Sequence, residues 1–198
     1  MKLDKKIDKI VISEKRLRQR VRQLAQQICR DYKGKKVIHA LVFLKGAFVF
    51  AADLIREINK LKGPAVKVNF IKVSTYGKEI KKTGEVKREV KIELDPKDIK
   101  GEEILVIEDL IDQAFTLSKL KPYLLKNRQA KSLKFCVLID KVQTNPTTAV
   151  KKAKASFHVD YLGFSMADRW LAGYGIDAGE DFRDLPYVVF VKEKYYMS

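Results

Sequence analysis

With 198 residues the chain is long enough for one well-buried core, and a single domain spanning 1–198 is the expectation. Hydrophobic residues at 46% and charged residues at 33% fit a globular protein; no apolar run approaches the roughly 18 residues of a membrane helix, and the N-terminal MKLDKKIDKIVISEKRLRQR has no signal-like apolar stretch, so the expected location is cytoplasmic. The formal charge of +16 points to an anionic partner, but the lysines are interleaved with glutamates, as in KEIKKTGEVKREVKIELDPKDIK, which reads as solvated surface before it reads as a nucleic-acid face.

Residues 1–12 are mixed in character. Ser13 is placed to cap a helix whose apolar face is Leu17, Val21, Leu24, Ala25 and Ile28, running to about Tyr32 and ended by Gly34. Val37–Leu44, VIHALVFL, reads as the first central strand, with His39 as a packed strand residue. The turn Lys45-Gly46-Ala47 opens a second helix with Phe48, Phe50, Ala51, Leu54 and Ile58 inward. Strand, short glycine turn, helix is the geometry that presents backbone amides to an anion.

Val66–Val73 alternates as another strand. A turn at Ser74, Thr75, Tyr76 and Gly77 leads into a polar excursion reaching about Lys100, in which weak alternation up to Leu94 suggests a hairpin or extended arms. An excursion of this size between core strands is a surface hairpin, disorder or a functional lid. Cys29 and Cys136 lie in apolar or helical contexts with no spacing that suggests a disulfide framework or zinc site.

The run ILVIEDLIDQAFTL, Ile104–Leu117, organises the rest. Ile104 to Ile107 suit a strand buried on both faces of a parallel sheet, and the carboxylates Glu108 and Asp109 follow at once. Asp112 adds a third acid before the helix-like LSKLKPYLLKN. Ligands of open α/β sheets bind beyond the carboxyl ends of the strands, where helix N-termini offer unpaired N–H groups. Such a unit suits a phosphorylated sugar: carboxylates for hydroxyls and a cation, amides for phosphate. The plainer alternative makes the acids solvated loop residues, with Asp112 as a helix cap. Ser132–Asp140 is a further buried strand closed by Lys141, and Val159–Phe164 is the last one before Asp168-Arg169-Trp170-Leu171-Ala172-Gly173-Tyr174-Gly175-Ile176-Asp177.

Glu108-Asp109-Leu110-Ile111-Asp112-Gln113-Ala114-Phe115-Thr116 resembles the phosphoribosyl-diphosphate signature of type I phosphoribosyltransferases, with Gln113 where a hydroxyl residue is usual and Ala114 where glycine is usual. Lys45-Gly46 resembles the family's diphosphate loop, with Ala47 replacing a second glycine. Ser74 to Gly77 resembles its mobile loop, here about residues 74–100. Asp140-Lys141 and the segment 168–177 resemble the purine-binding elements of the hypoxanthine-guanine branch, and Phe182-Arg183-Asp184-Leu185-Pro186 its closing motif.

The resemblance implies a mostly parallel sheet flanked by helices, with a small hood from the terminal segments. It also implies Mg2+-dependent transfer of 5-phosphoribosyl from phosphoribosyl diphosphate to N9 of hypoxanthine or guanine, giving IMP or GMP. Asp112 is then the general base. Lys45, Gly46, Glu108, Asp109, Gln113, Ala114, Phe115, Thr116 and Arg183 bind the phosphoribosyl and diphosphate groups. Lys141, Trp170, Leu171 and Asp177 bind the purine, and Glu108, Asp109 and Asp177 are the metal-side acids. Homodimers or homotetramers are implied as well. Two other classes stay open on the residues: a degenerate sensor of nucleotides without turnover, suggested by Gln113, Ala114 and Ala47, and a nucleic-acid-binding regulator suggested by the net charge.

Overall fold

The computed structural model describes residues 4–76, 89–94, 96 and 99–195. The chain runs β1 (Ile7–Ile12), α1 (Glu14–Asp31), β2 (Val37–Leu44), α2 (Phe48–Lys60), β3 (Ala65–Tyr76), β4 (Glu89–Leu94), β5 (Glu103–Ile111), α3 (Phe115–Pro122), β6 (Ser132–Val142), α4 (Thr148–Ala155), β7 (Tyr161–Ala167), β8 (Leu171–Ala172) and β9 (Val188–Val191). Six strands form the main sheet in the order β4-β3-β2-β5-β6-β7. All neighbours in it are parallel except β3 and β4. From β2 the chain moves outward to β3, and from β5 it moves the other way through β6 to β7. The order therefore reverses between β2 and β5, which is where such sheets open a ligand crevice.

Burial explains why β5 sits at the centre. Ile104, Leu105, Val106 and Ile107 are all buried, and a strand apolar on both faces gains most where both faces are covered. On the helix side, Ser13 accepts from the Arg16 backbone N–H at 3.4 Å, and α1 turns Leu17, Val21, Leu24, Ala25 and Ile28 inward at the spacing the sequence predicts. Helix α1 packs on α2 and reaches β7, and α3 packs on α4. Arg20 Nε donates to the Gly163 carbonyl at 2.8 Å, fastening α1 to β7.

Several elements differ from the sequence expectation. The acids of 108–112 were expected to leave the sheet, yet β5 continues through Glu108 and Asp109 to Ile111 because β6 runs beside it in register as far as Ile111↔Asp140. On its other side β6 pairs with β7 through Lys141↔Met166 and Val142↔Ala167, so it includes Lys141 and Val142. Ser74, Thr75 and Tyr76 are the last residues of β3, not a turn, since β4 supplies an antiparallel partner up to Tyr76↔Glu89. Gly77 and the tip of the expected mobile loop lie outside the described residues. Phe48 is exposed, not inward, because at the first position of α2 it borders an open cavity with Leu17, Tyr174 and Pro186. Asp112 does not cap α3; Ala114 occupies that position without a side-chain bond, and the helix passes through Pro122 into a wider π turn, Tyr123–Asn127.

A second, three-stranded antiparallel sheet has the order β1-β9-β8 and joins the two ends of the chain. Its core of Ile7, Ala172, Tyr187, Val189 and Val191 is separate from the main one. Among the described residues no helix is long and apolar enough to cross a membrane.

One close approach tests this packing. A Cβ on Gly163 would lie 2.2 Å from the Leu138 carbonyl oxygen, a backbone atom that cannot swing aside. Gly163→Ala is expected to destabilise the fold by about 1–3 kcal/mol, as overpacked cores do; an unchanged urea midpoint would contradict the β6–β7 spacing.

Candidate active site

Three chain segments meet at the carboxyl ends of β2 and β5. Sheet register brings the ends of these strands side by side, with Val42 opposite Ile107. From there the loop Lys45-Gly46-Ala47 leaves β2 and Glu108–Asp109 continues β5. Gly46 faces Asp109 so closely that a Cβ there would sit 2.0 Å from Asp109 Oδ2, and Gly175, at φ +99°, faces the other side with its own virtual Cβ 2.3 Å from the Gly46 carbonyl. The glycine loop is thus clamped between the acid and the segment 173–177, and only glycine fits either contact.

Beneath α3 lies a cavity of about 270 Å³ lined by Glu108, Leu110, Ile111 and every residue from Asp112 to Leu117. Gln113, Ala114, Phe115 and Thr116 form its rim where α3 begins. The first intrahelical bond runs from the Ser118 N–H to the Ala114 carbonyl, so the amides of Phe115, Thr116 and Leu117 have no partner within the helix and are free for an anion. Ala114 holds φ +66°. For an L residue that conformation costs about 1–2 kcal/mol, which explains why glycine suits this position.

Desolvation dominates the electrostatics. Glu108 is buried and its carboxyl pKa is pushed well above the ordinary value, first by burial and then by the neighbouring Asp109 charge. Asp109 is also raised, again by burial first, although the Arg183 guanidinium and the hydrogen bonds it receives oppose the shift. Two carboxylates this close and this dry cannot both ionise freely. The Asp109 N–H donates to Glu108 Oε1 at 3.2 Å.

Lys141, only 7% exposed, sits between two acids: its Nζ is 3.8 Å from Asp112 Oδ2 and 3.5 Å from Asp168 Oδ1. Gln143 Nε2 donates to Asp112 Oδ1 at 2.6 Å. Asp112, Lys141, Glu108 and Asp109 are therefore brought to one end of the sheet. Trp170, 40% exposed, lines a different cavity of about 400 Å³ with Lys6, Asp181, Phe182 and Tyr195. It stands two residues beyond Asp168, whose carboxylate reaches Lys141. Leu171 is buried in β8. In Asp177 both oxygens are engaged, Oδ1 by Arg183 at 2.7 Å and Oδ2 by the Glu180 N–H at 2.9 Å.

Glu180 and Gln143 are participants that the sequence reading did not single out. Glu180 lies inside the segment joining two motifs, and Gln143 two residues past Lys141; neither type nor spacing marks them. Glu180 accepts from Lys45 Nζ at 3.0 and 3.2 Å and from Arg183 Nη2 at 3.2 Å. Arg183 also donates from Nη1 to the Gly175 carbonyl at 2.8 Å, while its Nε is buried without a hydrogen-bond partner.

The arrangement defines an α/β protein with a ligand crevice at its sheet reversal, carrying acids for a hydroxylated ligand and amides and cations for its phosphates. The sequence model of the phosphoribosyl transferase domain matches residues 10–177. A hypoxanthine-guanine phosphoribosyltransferase of Aquifex aeolicus is 36% identical over 185 residues, covering 93% of this chain and 95% of that protein. A hypoxanthine phosphoribosyltransferase of Buchnera aphidicola is 39% identical over 181 residues, 91% of this chain and 93% of its own. Among solved structures, a hypoxanthine-guanine phosphoribosyltransferase from Bacillus anthracis superposes with a TM-score of 0.74 at 39% identity, covering 94% of this chain and 99% of that one. The Trypanosoma cruzi hypoxanthine phosphoribosyltransferase gives 0.80 at 30% identity, covering 100% and 97%. The chain belongs to the phosphoribosyltransferase family, with the type I fold.

The acid pair has a measurable signature without any ligand. Above the ordinary glutamate value of 4.5 the unfolded chain releases the Glu108 proton while the folded chain keeps it. The folded state then binds more protons, so stability falls as pH rises from about 4.5 until the raised folded value is passed. Glu108→Gln removes that loss. In the presence of a chelator its melting temperature is expected to exceed that of the wild type by about 2–6 °C at about pH 8, with the gap closing toward about pH 4.5. A gap independent of pH would contradict the raised carboxyl.

Proposed function

We propose that this chain is a purine-salvage phosphoribosyltransferase that moves 5-phosphoribosyl from phosphoribosyl diphosphate to N9 of hypoxanthine or guanine, giving IMP or GMP and diphosphate. The observation that carries the reading is the convergence at one sheet edge of the acid pair Glu108–Asp109, the free amides opening α3 and the buried Lys141 beside Asp112. The relatives' names supply the purine class.

The reaction breaks the bond from the anomeric carbon to diphosphate oxygen and forms one to N9, through a cationic sugar like that of glycoside hydrolysis. Glu108 and Asp109 hold the ribose hydroxyls and place negative charge near that cation, in a site where little water screens it. The amides of Phe115, Thr116 and Leu117 receive the 5-phosphate, with Gln113 and Ala114 shaping the approach. Lys45, the Gly46 backbone and Arg183 receive diphosphate, the arginine through its planar fork. Asp112 takes the purine proton at N7 through Oδ2, since Oδ1 already accepts from Gln143. Lys141 donates to the exocyclic oxygen, which distinguishes a 6-oxopurine from adenine. Trp170, whose ring lines the separate cavity with Phe182 and Tyr195, would have to turn toward Lys141 to stack on the purine, with Leu171 supplying the backbone beside it.

Among the described residues no group of three metal-ligating side chains is arranged to hold an ion. That suits Mg2+, which keeps several waters and takes one or two carboxylates together with substrate phosphate oxygens. The donor set fits as well, because a dication beside Glu108 and Asp109 offsets the burial that raises both pKa values and the Asp109 charge that adds to the rise at Glu108. Glu108 and Asp109 would hold the ion, while Asp177, both of whose oxygens are taken by Arg183 and the Glu180 N–H, would act on it by charge alone; the ion would supply neutralising charge for the departing diphosphate. A cytoplasmic location and assembly as a homodimer or homotetramer belong to the same reading; the exposed Phe48, Val68 and Phe70 offer apolar surface for association.

Steady-state assays with hypoxanthine and guanine test it. Asp112→Asn is expected to lower kcat by about 10²- to 10⁴-fold, the usual worth of a general base, with a smaller change in KM for phosphoribosyl diphosphate. Absence of turnover by the folded wild type at saturating substrates overturns the reading in favour of a ligand-binding relative.

A further inference from the structure

Glu180 has no role in the chemistry above, yet it touches both cations assigned to diphosphate. Its carboxylate lies 3.0 and 3.2 Å from Lys45 Nζ and 3.2 Å from Arg183 Nη2. Those two cations come from distant parts of the chain, Lys45 from the loop after β2 and Arg183 from the segment before β9. Glu180 is the anion that joins them. Its position is built: it sits at φ +67°, a conformation uncommon for a side chain of this kind, and its N–H is fixed by Asp177 Oδ2 at 2.9 Å. Asp177 in turn holds Arg183 at 2.7 Å. A short turn thus presents one carboxylate to the pair of cations while aligning one of them.

A carboxylate that accepts from a lysine and an arginine together occupies the same donors as a phosphate oxygen would. We propose that Glu180 is an internal stand-in for the leaving group: in the free chain it bridges Lys45 and Arg183, and diphosphate binds by taking both cations from it. The inference rests on the phosphoribosyl-transfer reading, which assigns those cations to diphosphate. It adds a consequence for turnover. The affinity of the site for diphosphate is reduced by the fraction of chains in which the cations are already engaged, and the returning carboxylate competes for them as product leaves. Bridging by Glu180 also keeps Lys45 and Arg183 near one another between turnovers, and the lowered pKa of the Glu180 carboxyl, caused first by Lys45 and then by Arg183, agrees with that engagement. The pairing is largely solvent-exposed, with Glu180 65% accessible, so its effect is modest in size.

Inorganic diphosphate titrated calorimetrically in magnesium buffer into the wild type, Glu180→Gln and Asp181→Asn decides the matter. Asp181 carries the same charge one residue away but pairs with Lys6. Glu180→Gln is expected to bind diphosphate about three- to tenfold more tightly, with a lower kcat at saturating substrates, whereas Asp181→Asn stays within about twofold of the wild type. Glu180→Ala is expected to follow Glu180→Gln. Equal or weaker binding by both Glu180 variants overturns the proposal, because Glu180 then orients the cations instead of competing for them. Equal tightening by Asp181→Asn also overturns it, reducing the effect to net charge. A folded wild type that neither binds diphosphate nor turns over defeats the parent reading itself, a result distinct from either of these.

Discussion

The burial of two adjacent carboxylates at the end of a central strand is the constraint on which the rest of this structure depends. Glu108 and Asp109 stay in β5 because β6 continues beside them, and that pairing holds them in the dry edge of the sheet. Desolvation then pushes both groups toward their neutral forms. Such a pair is a poor contribution to stability and a good receptor for charge: a cationic sugar or a divalent ion relieves what folding left unfavourable. The same economy appears in Ala114, held at a positive φ where α3 turns its amides to the cavity.

Topology supplies the partners. Reversal of strand order between β2 and β5 places the loop after one strand against the acids of the other, and the contact is close enough that Gly46 must lack a side chain. Gly175 closes the far side of the same loop. Through these two glycines the three-stranded sheet, made from opposite ends of the chain, is tied to the crevice of the main sheet. Residues 173–183 therefore have two functions, carrying Arg183 to the site and fixing where the glycine loop lies.

Much of this was legible in the sequence where the signal is local. The 3.6-residue spacing in α1 and the apolar runs of β2 and β5 follow from elementary burial, and the bounds Val37–Leu44 are those observed. Family membership was legible because six motifs stand in order along the chain. What was not legible is non-local. Strand β1 is a mixed IDKIVI that becomes a strand only because β9, some 180 residues later, pairs with it. The extension of β5 through its acids depends on β6, and of β3 through Tyr76 on β4. Glu180 and Gln143 gain their roles from what lies opposite them in space, which spacing along the chain does not reveal. The charge of +16, the most conspicuous number in the composition, located nothing.

The most direct measurement of the central claim is an infrared difference spectrum of carboxyl protonation, followed as pH is raised from the ordinary glutamate value of 4.5, before and after magnesium and phosphoribosyl diphosphate are added, for the wild type and Glu108→Gln. The account requires a protonated carboxyl stretch in the free wild type that disappears on binding and is missing from the variant throughout. A free wild type whose carboxyls all ionise at the ordinary value of 4.5 or below would contradict it, since the acid pair would then carry no desolvation for substrate to relieve.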